Sequence, residues 1–136
     1  MSNKETLAAF FREEFPQSDF VIESVGDRRA RLKQVIDQRH LRPGGTVSGP
    51  VLMGVADAAL YAAILGEMGL VALAVTTQLN VNFLRKPSAE KNIIADCHLI
   101  KVGKTLVVGE VFLYSEGDSE PVAHAVGTYA IPPRQE

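Results

Sequence analysis

Residues 46–66, TVSGPVLMGVADAALYAAILG, constrain this chain more than any other stretch. This is the one long apolar run whose composition favours a helix, because from 51 to 68 almost every residue is a good helix former or small. Pro50 suits a first helical turn, where its missing N–H is not needed, and Ser48 and Gly49 just before it are good N-cap residues. Gly66 or Gly69 supplies the stop. Leu52, Val55, Ala59 and Ala62 fall on one side, and Met53, Leu60, Tyr61 and Ile64 on another. A helix apolar all round is expected to lie buried. Ahead of it, RPGGTVSGP sets small residues and free backbone N–H groups at the helix's positive end, where an anion or a polarised carbonyl oxygen can bind.

One acid, Asp57, stands two turns into this apolar segment. Carboxylates drawn partly out of water cluster at working sites, which reads Asp57 as a general base or nucleophile. The bland alternative has it reaching water at an edge or capping a neighbouring chain's backbone. The residue pattern leaves both open.

Residues 49–75 are apolar enough to raise a membrane reading, since a spanning helix needs about 20 apolar residues. Asp57 and Glu67 interrupt the run, Gly66 and Gly69 break it, and the next stretch alternates as a strand does, so a core helix without membrane insertion is expected. The start, MSNKETLAAFFREEF, carries acids where a signal peptide needs a basic region. A cytoplasmic protein is the expectation. Residues 1–136 read as a single domain, long enough for a real core. A net charge of −2 gives no reason to expect nucleic acid. The single cysteine, Cys97, excludes an internal disulfide and alternates with apolar neighbours as a core residue does. His98 and His124 sit mid-strand without the spacing of a metal site.

In chain order, 2–15 reads as an amphipathic N-terminal helix, ended by Pro16, with Ser2 and Glu5 at capping-box spacing and Leu7, Phe10, Phe11 and Phe15 on its apolar stripe. Strands are expected at 20–25 and 30–36 around a GDRR turn, then an irregular loop to Gly49 containing His40. After the buried helix, 71–84 alternates: Val71, Leu73, Val75, Thr77, Leu79, Val81 and Phe83 on one face, Thr76, Gln78, Asn80 and Asn82 on the other. Segments 92–102, 105–114 and 121–131 complete a four-strand meander, turning at Gly103-Lys104 and at SEGDSE. The architecture is therefore α+β, an antiparallel β-sheet wrapped around a long central α-helix. The polar face of 71–84 is left for solvent, a ligand groove or a subunit interface.

With these residues in view, the sequence resembles the hotdog-fold acyl-CoA thioesterases of the phenylacetate-degradation type, related to the 4-hydroxybenzoyl-CoA thioesterases. The resemblance spans roughly residues 30–132. It rests on His40-Leu41, then Gly45-Thr46-Val47-Ser48-Gly49 and Ala56-Asp57; on NVNFLRKP, residues 80–87; and on the Gly103-Lys104 turn followed by a long strand and a small-residue closing strand, 123–130. The family's His-Gly-Gly turn falls on Ser48-Gly49-Pro50, and the acid seven residues beyond its last glycine falls on Asp57. Two departures stand out: Ser48 replaces the histidine, and Pro50, with no N–H, replaces the second glycine.

The resemblance implies a homodimer with a shared sheet and two interfacial sites, often doubled to a tetramer. Asp57 would act at the acyl carbonyl as base or nucleophile. The Gly49 N–H, with Ser48 beside it, would hold the thioester oxygen. Thr76 or Thr77 of the other subunit would help to place the water or the acid. Arg42, Pro50, Tyr61 and Asn82 are further candidates for the substrate site, Tyr61 in an apolar pocket with Met53, Leu60 and Ile64. Arg85, Lys86, Lys101 and Lys104 are candidates for the coenzyme A phosphates. No cofactor is implied, because coenzyme A is part of the substrate. The leading expectation is hydrolysis of an acyl- or aryl-CoA to the free acid and coenzyme A. The alternatives are a hotdog protein that binds acyl-CoA without turnover, and a hotdog hydratase or dehydratase.

Overall fold

The computed structural model describes residues 3–16, 19–69, 71 and 73–133. The elements are α1 (Lys4–Glu14), β1 (Phe20–Gly26), β2 (Arg29–Gln34), a 3-10 turn (Gln38–His40), the two-residue strands β3 (Leu41–Arg42) and β4 (Thr46–Val47), α2 (Gly49–Met68), β5 (Val75–Phe83), β6 (Ile93–Val102), β7 (Leu106–Ser115) and β8 (Ala123–Ala130). Six strands form one antiparallel sheet in the order β1-β2-β6-β7-β8-β5, while β3 and β4 pair with each other. The expected α+β arrangement, a sheet packed around a central helix, is what forms.

The sequence explains α2 from end to end. Ser48 is its N-cap, its hydroxyl oxygen accepting from Val51 N–H at 3.4 Å, and Pro50 lies in the first turn. Gly69 closes it at φ 87°, a conformation that side chains disfavour. Gly66 is not the stop but an interior contact: a Cβ there would collide with Val25 of β1. Leu52, Val55, Ala56, Ala59, Leu60, Ala62, Ala63, Ile64 and Leu65 are each no more than 2% exposed. The helix reaches the sheet through Leu60, which occupies a notch left by two glycines. A Cβ on Gly109 of β7 would lie 2.7 Å from Leu60, and one on Gly127 of β8 2.5 Å from it. By length and composition alone α2 could cross a membrane, yet most of its apolar side chains are buried in this packing.

Three expectations are corrected. The last four strands do not form a meander: β5 pairs with β8 at the edge of the sheet, not with β6. The connection after β5 carries Pro87 and runs past β4, where Ser88 bridges to Thr46, before β6 enters the middle of the sheet. The strand itself is Val75–Phe83, shorter than 71–84, and its register shifts between Thr76 and Gln78. That bulge at Thr77 breaks the alternation read across it. At the N-terminus the helix starts at Lys4, with Asn3 as N-cap accepting from Thr6 N–H at 2.8 Å; Ser2 lies outside the described residues. Between β1 and β2, Asp27 and Arg28 both have positive φ, 54° and 62°, which is the two-residue hairpin geometry that matches strand twist.

Candidate active site

The bulge in β5 decides what meets Asp57. Thr76 pairs with Tyr129 across β5 and β8, and both turn their hydroxyls toward α2. Thr76 Oγ1 donates to Asp57 Oδ1 at 2.6 Å, and Tyr129 Oη donates to the same oxygen at 2.8 Å. The Tyr129 hydroxyl also lies 3.1 Å from the Asp57 main-chain oxygen. Asp57 Oδ2 has no hydrogen-bond partner among the described residues. One carboxylate oxygen is thus occupied twice and the other is open.

The carboxylate lies at a cavity of about 550 Å³ lined by Phe11, Phe15 and Phe20, by Gly54, Asp57, Ala58 and Tyr61 of α2, and by Ala74, Val75, Thr76 and Tyr129. Its walls are mostly aromatic and aliphatic, with the carboxylate and the hydroxyls at one place. Phe11 is buried, and its ring centroid lies 6.1 Å from Tyr61, while Phe15 meets Tyr61 edge-on at 6.2 Å. Tyr61 in turn stacks on Tyr129 at 6.1 Å and 25°. An aromatic train therefore runs from α1 through α2 to the hydroxyl that holds Asp57. Burial pushes the Tyr129 phenol up, with the hydrogen bond to Thr76 opposing and the Asp57 charge adding, so it remains a protonated donor near neutral pH. Burial and the charge of Glu14 push Tyr61 up as well.

Of the residues singled out by sequence, Asp57, Thr76 and Tyr61 meet at this cavity. Thr76 reaches Asp57 of its own chain, because the bulge turns it inward. Thr77 is spent on the Thr128 carbonyl oxygen at 3.2 Å. Met53 is 41% exposed, Leu60 sits on the sheet and Ile64 is buried, so of that expected apolar pocket only Tyr61 lines the cavity. Ser48, Gly49 and Pro50 lie at the start of α2, outside the cavity, eight residues and so about 12 Å of helix from Asp57. Phe83 covers that start; a Cβ on Gly49 would sit 3.4 Å from its ring.

Arg42 pairs with Thr46, which bridges to Ser88, whereas Arg85 and Lys86 lie beside the connection between β7 and β8, with Gly117, Asp118 and Glu120. Arg85 also reaches Glu120 at 3.4 Å, and Asn82 is exposed on β5 opposite His124. Lys101 and Lys104 are exposed at the β6–β7 turn, beside the end of β8 that carries Tyr129. His40 has a structural partner, its Nδ1 accepting from Asp37 N–H at 2.9 Å. Cys97 is the expected core residue, its thiol pushed up to about 12 by burial and then by the Glu110 charge.

Sequence reasoning missed Tyr129. Its signal was present: along the inward face of β8 run Ala123, Ala125, Gly127 and Tyr129, three small residues and then one large phenol. A buried tyrosine hydroxyl requires a partner, and here the partner is the acid.

A family model described as the thioesterase superfamily matches residues 44–122, which include all of α2, β5, β6 and β7. A solved Silicibacter structure, described as that of a candidate thioesterase, is 42% identical, covers 96% of this chain and 92% of its own, and superposes with a TM-score of 0.89. Zebra fish thioesterase superfamily member 2 is 20% identical, with 97% of this chain and 100% of that one covered at a TM-score of 0.85. A protein of the E. coli phenylacetic acid degradation operon is 18% identical, with 95% and 92% covered at a TM-score of 0.83. These last two likenesses speak to fold alone. No curated protein sequence matches the chain.

Proposed function

The chain belongs to the thioesterase superfamily and is a thioester hydrolase of the hotdog fold, and from that premise we propose that its substrate is an acyl-coenzyme A thioester, cleaved to the free acid and coenzyme A. The observation that carries this reading is the Asp57 carboxylate, one oxygen pinned by two hydroxyls and the other open at the wall of an apolar cavity. The acyl group occupies the aromatic-walled cavity. Water attacks the carbonyl carbon, Asp57 Oδ2 takes its proton, and the C–S bond breaks as the proton passes to the departing thiolate. Direct attack by the same oxygen starts from the same geometry. Neither route requires a cofactor.

The growing negative charge on the thioester oxygen needs donors. The Gly49 N–H has no intrahelical partner, by its position in the first turn, and sits at the positive end of α2. Since it is remote from Asp57 of its own chain, we assign it to the site of a second copy. The protein is then a homodimer whose sites each take Asp57, Thr76 and Tyr129 from one copy and Gly49, with Ser48 and Pro50 beside it, from the other. The edge strand β5 and the half-exposed stripe Met53, Gly54 and Asp57 are the surfaces that such a partner would cover. Pairing of two such dimers, with Arg42, Arg85, Lys86, Lys101 and Lys104 near the phosphates of coenzyme A and Asn82 at the interface, completes the proposed assembly. A cytoplasmic location suits a coenzyme A substrate.

The test is coenzyme A release, followed with a thiol reagent across aryl-, short- and medium-chain acyl-CoAs. The protein's own thiol does not interfere, because Cys97 is 2% exposed. Turnover on at least one class, lost in Asp57→Asn, is the expected result. Binding of coenzyme A with no turnover on any class would instead mark a non-catalytic acyl-CoA-binding protein.

A further inference from the structure

We propose that Tyr129 is a positioning residue of the hydrolytic site: with Thr76 it locks Asp57 Oδ1, so that Oδ2 alone is presented to the cavity. This deepens the hydrolase reading above and rests on it.

Thr76 and Tyr129 face each other across β5 and β8, and the bulge at Thr77 is what brings the Thr76 side chain to the inward face at that level. Two hydroxyls on neighbouring strands then converge on a single oxygen, at 2.6 Å and 2.8 Å. A carboxylate tied at one point still turns about its terminal torsion, which is broad and two-fold. Two donors arriving at one oxygen from different strands remove that freedom before substrate binds, and such prior ordering is what a reacting group gains from its supports.

A merely structural role for Tyr129 does not account for the contacts. Its hydroxyl could be satisfied by the Asp57 main-chain oxygen at 3.1 Å alone, yet its shorter contact is to the side chain. The ring is 3% exposed, stacked on Tyr61 and placed opposite Val107 of β7, so it cannot follow the carboxylate if Asp57 moves. The phenol is the fixed part and the carboxylate the part held.

The test is Tyr129→Phe, which keeps the ring and removes the hydroxyl. The expected result is a kcat about 10- to 10²-fold lower with KM changed less than about twofold, because the acyl pocket is intact and only the presentation of the acid is lost. Thr76→Val should show the same split, and Thr76→Ser, which restores a hydroxyl, should recover most of kcat. Asp57→Asn run in parallel separates the hydrolase reading from the lock. If Asp57→Asn keeps full turnover, the hydrolase reading fails and takes the proposal with it. If Asp57→Asn is inactive while a folded Tyr129→Phe keeps its kcat, or loses only in KM, the proposal alone is overturned. Should Tyr129→Phe fail to fold, the Thr76 pair decides: an undiminished kcat in Thr76→Val overturns the lock.

Discussion

The two halves of α2 are made of similar residues and are finished in opposite ways. Around Asp57 every polar group but one finds a partner within the chain: Oδ1 has two donors, and the main-chain oxygen has the Tyr129 hydroxyl within reach. At the start of the helix the Gly49 N–H has no hydrogen-bond partner among the described residues. One end offers an acceptor with a free lone pair, and the other offers a positive pole. Acyl transfer needs both, at one carbonyl, and about 12 Å of helix keeps them apart within a single chain. In the proposed homodimer this difference becomes two half-sites per chain, which a two-fold axis would join into two whole ones.

The largest effect should come at Asp57. Asp57→Asn should lower turnover by about 10²-fold or more while leaving fold and assembly unchanged, since the amide keeps the shape and loses the basicity. Gly49→Pro is its counterpart: it deletes the N–H, and Ser48 already has the extended backbone, φ −72° and ψ 153°, that a residue before proline adopts. Its loss should also be on the order of 10²-fold. The two inactive variants sharpen the contrast between the helix ends when mixed and allowed to exchange chains. A mixed dimer pairs both defects in one site and leaves the other whole, so about a quarter of wild-type turnover should return for isologous sites. No recovery on exchange, or a monomer in light scattering at micromolar concentration, would place the whole site within one chain.

The next effect is on stability, and it concerns how the Asp57 half is held to the sheet. Leu60 is one turn beyond Asp57 and sits on Gly109 and Gly127. Gly127→Ala places a Cβ 2.5 Å from Leu60, and the helix must shift or the leucine must leave its rotamer. Overpacking of this kind should cost about 1–3 kcal/mol by denaturant unfolding. Because the helix carries Asp57 against Thr76 and Tyr129, turnover should fall with it. A fully stable and fully active Gly127→Ala would mean that this notch does not set the position of the acid.

How much of the fold and site was legible in the sequence depends on where the information lies. The helix α2 could be read because its cap, its proline and its closing glycine are local signals, and Asp57 stood out because a charge in an apolar run is a local anomaly. Thr76 could be named only alongside Thr77. A bulge is a property of the pair β5 and β8, so period-two alternation drawn through it assigns the wrong face on one side. For the same reason β5 was drawn beside β6, since nothing in a sequence of strands says which edge a strand joins. Tyr129 and the Phe11 and Phe15 wall were hidden more deeply. Their meaning depends on contacts to residues 72 or about 50 positions away, and α1 lies outside the segment that resembles the family.

The smallest effect should come from Ser48, where the chain departs from the family's histidine. Its hydroxyl oxygen serves α2 as N-cap, accepting from Val51 N–H, while its main-chain N–H bonds the His40 oxygen at 2.9 Å. Ser48→Ala removes only the cap, at a cost of about 1 kcal/mol, since an N-cap oxygen answers one of the helix's unpaired donors. The 3.4 Å length of this contact favours the lower side of that range. Gly49 stays packed against Phe83, so the proposed oxyanion donor survives, and turnover should fall less than tenfold, as expected for one neutral hydrogen bond. Thermal unfolding and initial rates on the same sample read both numbers. A rate loss equal to that of Asp57→Asn would move Ser48 from the scaffold of the helix start to the chemistry itself, and would make the two ends of α2 equal partners in it.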